Sequence, residues 1–305
     1  MKILVFGGNG MVGKSISKVL NGEKNLEIFS STRADTDLFS YQDTFERIES
    51  FEPDIVINAA AKVGGIIANN TFRTEFIIEN LKINMNIIES LKKFPKTNLI
   101  NLGSSCIYPL NASIPISENS LMGGPLEPTN SPYAMAKLSA IEMGDALSKQ
   151  YGNNVLNLMP TNLYGDYDNF SENSSHVIPG LIFRMHKAKT KNEVEFKVWG
   201  TGKPLREFLY VDDLTSAIHF LIHNGINDGI YNVGSNFEIA ISDLVELIKS
   251  TIKFKGEIAF DTTKPDGNPR KLLDSSKIMN LGWSPAIEIE TGLIKTYDWF
   301  LKNIT

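Results

Sequence analysis

Tyr133 and Lys137 stand four residues apart in Ser131-Pro132-Tyr133-Ala134-Met135-Ala136-Lys137, and Ser104 lies upstream in Gly103-Ser104-Ser105-Cys106-Ile107-Tyr108-Pro109. On a helix, positions i and i+4 share a face, which would set the lysine ammonium beside the phenol. A neighbouring cation favours the phenolate, so the spacing predicts a Tyr133 pKa lowered from its ordinary value of about 10. With the Ser104 hydroxyl holding a carbonyl oxygen, Tyr133 could exchange its proton with that oxygen as hydride moves to or from the carbon. The three residues thus point to a carbonyl–alcohol oxidoreductase working opposite a nicotinamide. Tyr-x-x-x-Lys also arises where a surface lysine covers a half-buried tyrosine, so the flanking elements must decide.

The first of these elements is at the N-terminus. Met1-Lys2-Ile3-Leu4-Val5-Phe6 has the length and composition of a buried parallel strand, and a helical pattern runs from Met11 to Leu20. Between them, Gly7, Gly10 and Gly13 form a G-x-x-G-x-x-G spacing, continuous with Met11 and Val12. Glycines there allow a sharp turn, a close backbone approach to a pyrophosphate and tight helix–strand packing, with the phosphates at the helix N-terminus. A second strand at Leu26–Ser30 leads to Ser31-Thr32-Arg33. An acidic residue at this tip would suit the ribose of NAD, whereas Arg33 and the hydroxyls suit a 2′-phosphate, which favours NADP(H). Asp35 and Asp37 lie a little further on and leave NAD open. Asp54-Ile55-Val56-Ile57-Asn58 reads as another buried strand, and the small residues Ala59-Ala60-Ala61 after it would let a cofactor lie close, Ala60 in particular.

Strand and helix patterns alternate along the first half. They predict an α/β fold, a Rossmann-type doubly wound parallel sheet with a smaller, discontinuous C-terminal α/β substrate domain. Thr71 to Lys93 has helical periodicity, Asn98–Leu102 is the strand feeding Ser104, and Ser131 and Pro132 read as N-cap and first residue of the Tyr133 helix. The expected division is 1–165 plus about 208–235 for the dinucleotide, and about 166–207 plus 236–305 for the substrate. In the second part, residues 166–175 read as a polar loop and helices are expected near 177–187, 242–252, 275–281 and 291–302, with a strand at Phe208–Asp213 leading into a helix that ends near His223.

The composition fits this reading. A 305-residue chain with 42% hydrophobic and 21% charged residues is ordinary for a globular enzyme, and a net charge of −5 argues against a general nucleic-acid partner. No apolar run approaches the ~18 residues of a membrane span. One cysteine allows no intrachain disulfide, which suits a cytoplasmic protein. His219 and His223 have a metal-capable spacing but no accompanying third ligand motif, so no metal is expected.

Longer strings carry a family resemblance. With the glycine loop, Ser104, Tyr133 and Lys137 resemble the extended short-chain dehydrogenase/reductase superfamily. Within it the chain is similar to the GDP-L-fucose synthase family, nearly end to end. The matching strings are Ala59-Ala60-Ala61-Lys62-Val63-Gly64-Gly65-Ile66, Gly103–Pro109, Leu126-Glu127-Pro128-Thr129-Asn130 and Met159-Pro160-Thr161-Asn162-Leu163-Tyr164-Gly165. Further along they are Ser174-Ser175-His176-Val177-Ile178-Pro179, Arg206-Glu207-Phe208 and Lys264-Pro265-Asp266-Gly267-Asn268-Pro269-Arg270-Lys271.

That resemblance implies an NADPH-dependent 3,5-epimerase–4-reductase acting on a GDP-linked 4-keto-6-deoxy sugar. It makes Tyr133 the proton donor at C4, with Lys137 beside it and Ser104 on the carbonyl, and it makes Cys106 and His176 the acid/base pair for inversion at C3 and C5. Asn162 would lie near the sugar, and Arg184, Arg206 and Lys271 would meet the diphosphate, where guanidinium forks bind well. A homodimer through the Tyr-x-x-x-Lys helix is likewise implied. Two departures stand out: Asn9 replaces a usual arginine, and Asp166-Tyr167 replace a usual proline-containing pair at the edge of the expected sugar pocket. Two other functions remain open, a C4-reductase without epimerisation, acting on a related GDP-4-keto sugar such as a heptose, and a non-catalytic dinucleotide sensor.

Overall fold

Short apolar runs, rather than alternating ones, build the central sheet because it is covered on both faces. In the computed structural model, which describes residues 1–305 except Asn173 and Pro265, these runs become β1 (Lys2–Phe6), β3 (Ile55–Asn58), β4 (Asn98–Leu102) and β5 (Val155–Pro160). With β2 (Glu27–Ser31) and β9 (Gly229–Val233) they form a six-stranded sheet in the order β2-β1-β3-β4-β5-β9, parallel throughout. Alternate residues of each strand enter opposite cores. Ile3, Val5 and Ile57 pack under α1 (Met11–Leu20) and α7 (Val211–His223). Leu4, Phe6 and Val56 pack under α2 (Tyr41–Phe51), α4 (Arg73–Leu91) and α5 (Ser131–Tyr151).

The winding reverses between β1 and β3, which opens a crevice at their C-terminal ends, where open α/β sheets bind ligands. The helical pattern at 71–93 is interrupted at Phe72, giving a short α3 (Ile66–Thr71) before α4. Helix α5 starts one residue earlier than expected: Asn130 is the N-cap, Ser131 the first helical residue and Pro132 the second. The Glu127 carboxylate accepts the amides of Thr129 and Asn130, so the helix begins there and extends no further back.

A second layer is assembled from separated segments. β6 (Asn162–Tyr164), β8 (Leu205–Tyr210), β10 (Glu238–Ala240) and β12 (Arg270–Lys271) form one small sheet, and β7 (Glu195–Trp199) pairs with β11 (Glu257–Asp261). The strand read from the sequence at 208–213 is β8 and belongs to this small sheet, whereas the helix and strand that follow it, α7 and β9, return to the central one. Helices α6 (Val177–Thr190), α8 (Ile241–Ile252) and α10 (Ile289–Asn303) share an aromatic-rich core with Phe208 and Tyr210, while the short α9 (Ser276–Met279) sends Ile278 into the core below α7. Asn173 and Pro265 fall in the 166–175 loop and the 264–271 string, and lie outside the described residues.

Two junctions between the layers position the site. The Glu207 carboxylate is fully buried and accepts the amides of Asn236 (2.8 Å) and Leu273 (3.1 Å), fastening β8 to the segments after β9 and β12. Lys18 on α1 pairs with Asp166 (3.1 Å) and Asp212 (2.9 Å), while the Tyr210 hydroxyl donates to Asp166 (2.9 Å). Asp166 thereby ties the loop after β6 to the helix that follows the glycine turn.

Candidate active site

The glycine turn is shaped by what a side chain would strike. Gly7 has φ +90°, and a Cβ there would lie 2.7 Å from the Ala60 amide nitrogen; a Cβ at Gly13 would collide with the Gly7 carbonyl. At Gly10 the nearest heavy atom would be 3.4 Å away, so the open side of the turn is there. Among the described residues, the amides of Met11, Val12 and Gly13 have no acceptor, and together with the α1 N-terminus they make an anion cradle. Ala60 forms the opposite wall. At the tip of β2, Arg33 and Asp35 are both exposed, but the Asp35 carboxylate is engaged locally, accepting from the Thr32 amide (2.9 Å) and hydroxyl (2.7 Å). The residues present therefore fit a dinucleotide, with a free cation at the ribose end.

Ser104 follows β4 directly. Gly103 has no room for a side chain because Met159 fills that space, so the chain can pass close over β5. The Ser104 Oγ accepts the Cys106 amide (3.3 Å) at the start of a 3-10 turn, Ser105–Ile107, which leaves its hydroxyl proton free to donate. Lys137 is buried; its Nζ donates to the Leu102 carbonyl (2.7 Å) and lies 5.9 Å from the centre of the Tyr133 ring. Phe76 meets that ring edge-on, 6.3 Å between centroids.

The charge balance differs from the sequence expectation. Burial pushes the Tyr133 phenol well up, and the neighbouring Cys106 adds to this, so the lysine does not lower it. Burial also pushes Lys137 down to about 8, with Cys106 opposing. The expected cation effect is overridden because both groups are removed from water, and desolvation disfavours both charged forms.

Cys106 is buried beside the same groups. Burial raises its thiol pKa, and the strongest opposing influence is the charge of Lys271, followed by the Ser104 hydrogen bond and Lys137. Lys271 is itself lowered by burial; Cys106 and Glu127 oppose this and Arg206 adds to it. Lys271 and Arg206 are paired partners on β12 and β8, so two cations stand side by side. Arg206 donates to the Leu205 carbonyl (2.8 Å), and Asn162 donates to the Glu207 carbonyl (2.8 Å) at the neighbouring strand end. Ser104, Cys106, Tyr133, Lys137 and Lys271 thus gather in one place, with Arg206 and Asn162 on its rim.

His176 is carried by the other layer. It is the N-cap residue of α6, open to solvent on one side and crowded by protein on the other, which lowers its pKa by desolvation. Arg184 lies two turns further along α6, between the rings of Phe196 (5.2 Å) and Trp199 (5.7 Å), and donates to the Lys197 carbonyl (3.2 Å). Burial lowers its pKa. Trp199 is 55% exposed and offers an open aromatic face that the sequence reading missed. The signal was available, since β7 alternates exposed and buried residues and puts a tryptophan on the exposed side. The rings of His219 and His223 lie 6.0 Å apart on α7, tilted by 41°, and no metal-capable group of three ligands occurs among the described residues.

A sequence model of the NAD dependent epimerase/dehydratase family matches residues 3–234. The probable GDP-L-fucose synthase 1 of Oryza sativa subsp. japonica is 47% identical over 304 residues, 99% of this chain and 93% of that protein. The chain belongs to this family, in its GDP-L-fucose synthase group. Two solved structures frame its range. A GDP-L-fucose synthetase from Naegleria fowleri bound to NADP superposes with a TM-score of 0.91 at 30% identity, covering 99% of this chain and 93% of that one. The GDP-mannoheptose C4 reductase MlghC from Campylobacter jejuni, with NADP bound, gives 0.87 at 31%, covering 98% of each. Family relatives and fold together make this chain an enzyme of the nicotinamide dinucleotide class. No helix among the described residues is long and apolar enough to cross a membrane.

Proposed function

We propose that the protein is an NADPH-dependent 3,5-epimerase–4-reductase that converts GDP-4-keto-6-deoxy-mannose to GDP-L-fucose. The observation that carries this reading is the gathering of Cys106 with Ser104, Tyr133 and Lys137, because it sets a group able to exchange protons beside the carbonyl that would acidify its neighbouring C–H bonds. Gly7, Gly10, Met11, Val12, Gly13 and Ala60 would hold the dinucleotide, and Arg33 its 2′-phosphate. When bound, the reduced nicotinamide supplies hydride to C4. The Ser104 hydroxyl holds the C4 oxygen, and Tyr133 delivers the proton to it, its high pKa keeping that proton in place until needed. Lys137 stabilises the phenolate left behind.

Epimerisation uses the same carbonyl, which acidifies the C3 and C5 hydrogens. Cys106, whose burial-raised pKa Lys271 partly offsets, takes as thiolate a proton from one face, electrons move onto the C4 oxygen, and His176 returns a proton to the other face. Solvent then resets the pair for the second carbon. Arg206 and Arg184 would meet the diphosphate, Trp199 the guanine ring, and Asn162 the sugar. We assign residues 1–165 with about 208–235 to the dinucleotide, and 166–207 with 236–305 to the nucleotide sugar, with β6 and the end of β8 passing from the first part into the small sheet of the second. We also propose a cytoplasmic homodimer through α4 and α5, where Ile78, Met85 and Met135 are 45, 50 and 46% exposed.

Incubation with GDP-4-keto-6-deoxy-mannose and NADPH in heavy water tests the assignment. NADPH oxidation with deuterium at both C3 and C5 of GDP-L-fucose is expected. Reduction with no deuterium at either carbon would instead establish a C4-reductase, the activity in the name of the Campylobacter jejuni neighbour.

A further inference from the structure

One turn, Gly64-Gly65, stands between the two arms of this site. On one side, a Cβ at Gly64 would lie 3.2 Å from the Phe76 ring, and Phe76 packs edge-on against Tyr133. On the other, the Gly65 amide donates to the Ser174 carbonyl (3.4 Å), and a Cβ at Gly65 would lie 2.9 Å from the Ser175 carbonyl oxygen. His176 is the next residue. The turn is held from below by Asn69 on α3, which is buried and donates through Nδ2 to the carbonyls of both Gly64 (2.7 Å) and Gly65 (3.2 Å). Its Oδ1 has no donor among the described residues and is closed to solvent, so the useful part of this amide is its two N–H bonds.

We infer that Asn69 is a positioning residue for epimerisation: by clamping the Gly64-Gly65 turn it sets the distance between His176 and the Tyr133 side of the site. The inference rests on the proposed epimerase reading. C4 reduction depends on Ser104, Tyr133 and Lys137, which β4 and α5 carry, with only the edge of Phe76 meeting the Tyr133 ring from the side of the turn. Inversion at C3 and C5 needs His176 in register with them across the turn. Loosening the clamp therefore slows inversion while leaving the reductive half intact, and directs product toward the sugar reduced without inversion.

Asn69→Leu removes both N–H bonds while keeping side-chain volume, and it removes the unpartnered oxygen as well, so folding is expected to survive. Gly65→Ala displaces the Ser174–Ser175 segment directly and serves as an independent variant. Deuterium wash-in at C3 and C5 is measured without NADPH, beside NADPH affinity, melting temperature and the ratio of inverted to non-inverted product with NADPH. Misplacement by about 1 Å costs on the order of 10²-fold, so a fall of about 10–10²-fold in wash-in is expected, with unchanged NADPH affinity and a shifted product ratio. Unchanged wash-in in both variants would overturn the inference. So would a loss of wash-in that tracks equal losses in NADPH affinity and melting temperature. Absence of wash-in in the unaltered protein would instead sink the epimerase reading itself.

Discussion

A phenol that must donate a proton at neutral pH gains from being hard to ionise, and the burial that pushes Tyr133 up keeps it protonated there. The titration that matters in the free protein is then that of Lys137, brought down to about 8. Above that pH the lysine loses its charge and can no longer stabilise the departing phenolate, so kcat/KM for NADPH is expected to fall as pH rises through about 8. A pH profile of initial rates checks this, and Lys137→Met should remove the limb along with most of the rate. Tyr133→Phe should lower NADPH oxidation by about 10²–10⁴-fold, the usual worth of general acid catalysis, read in single-turnover assays. Cys106→Ser should depress C3/C5 deuterium wash-in far more than C4 reduction; equal losses would mark a structural thiol. Tyr133, Lys137 and Ser104 were legible because their chemistry depends on type and spacing. The balance of their pKa values was not, because depth of burial is set by Phe76, Lys271 and other residues remote in the chain. Asn69 and Glu127 were silent for the same reason, since each acts on backbone groups that the fold brings to it.

Among elements, the glycine turn makes the sharpest demand. Gly13→Ala would drive a methyl into the Gly7 carbonyl, forcing α1 away from β1. NADPH affinity should fall at least about tenfold, the equivalent of 1.4 kcal/mol, measured by nucleotide fluorescence titration. The latch at Asp166 can be tested separately. Asp166→Ala strands the buried Tyr210 hydroxyl, and an unmade buried hydrogen bond costs about 1–3 kcal/mol. The loss of the Lys18 pair adds little, because that lysine is partly solvated and keeps Asp212 as a partner. Urea denaturation should show the lower midpoint. Of the central sheet, β1, β2, β3 and β4 could be read in advance because each carries a short apolar core, whereas β9, Gly229-Ile230-Tyr231-Asn232-Val233, has too little of one and was not read. β7, β10, β11 and β12 could not. They are two to five residues long and partly exposed, so they carry too little periodicity to stand out from loop.

At the scale of the whole molecule, the chain visits the central sheet, leaves it after β5, and returns for α7 and β9 only after β6, α6, β7 and β8 have been laid down. β9 pairs with β5 across that excursion, and Leu214, Ala217, Ile218 and Leu221 of α7 cover the same face as Ile3, Val5 and Ile57. On the ribosome, the first 165 residues would therefore emerge with an open sheet edge and one apolar face covered only by α1. The face waits for α7, which ends at His223, and the edge for β9, which ends at Val233. The nascent half-protein is a client for a holding chaperone, and gene fragments that stop between residues 165 and 233 should yield insoluble product.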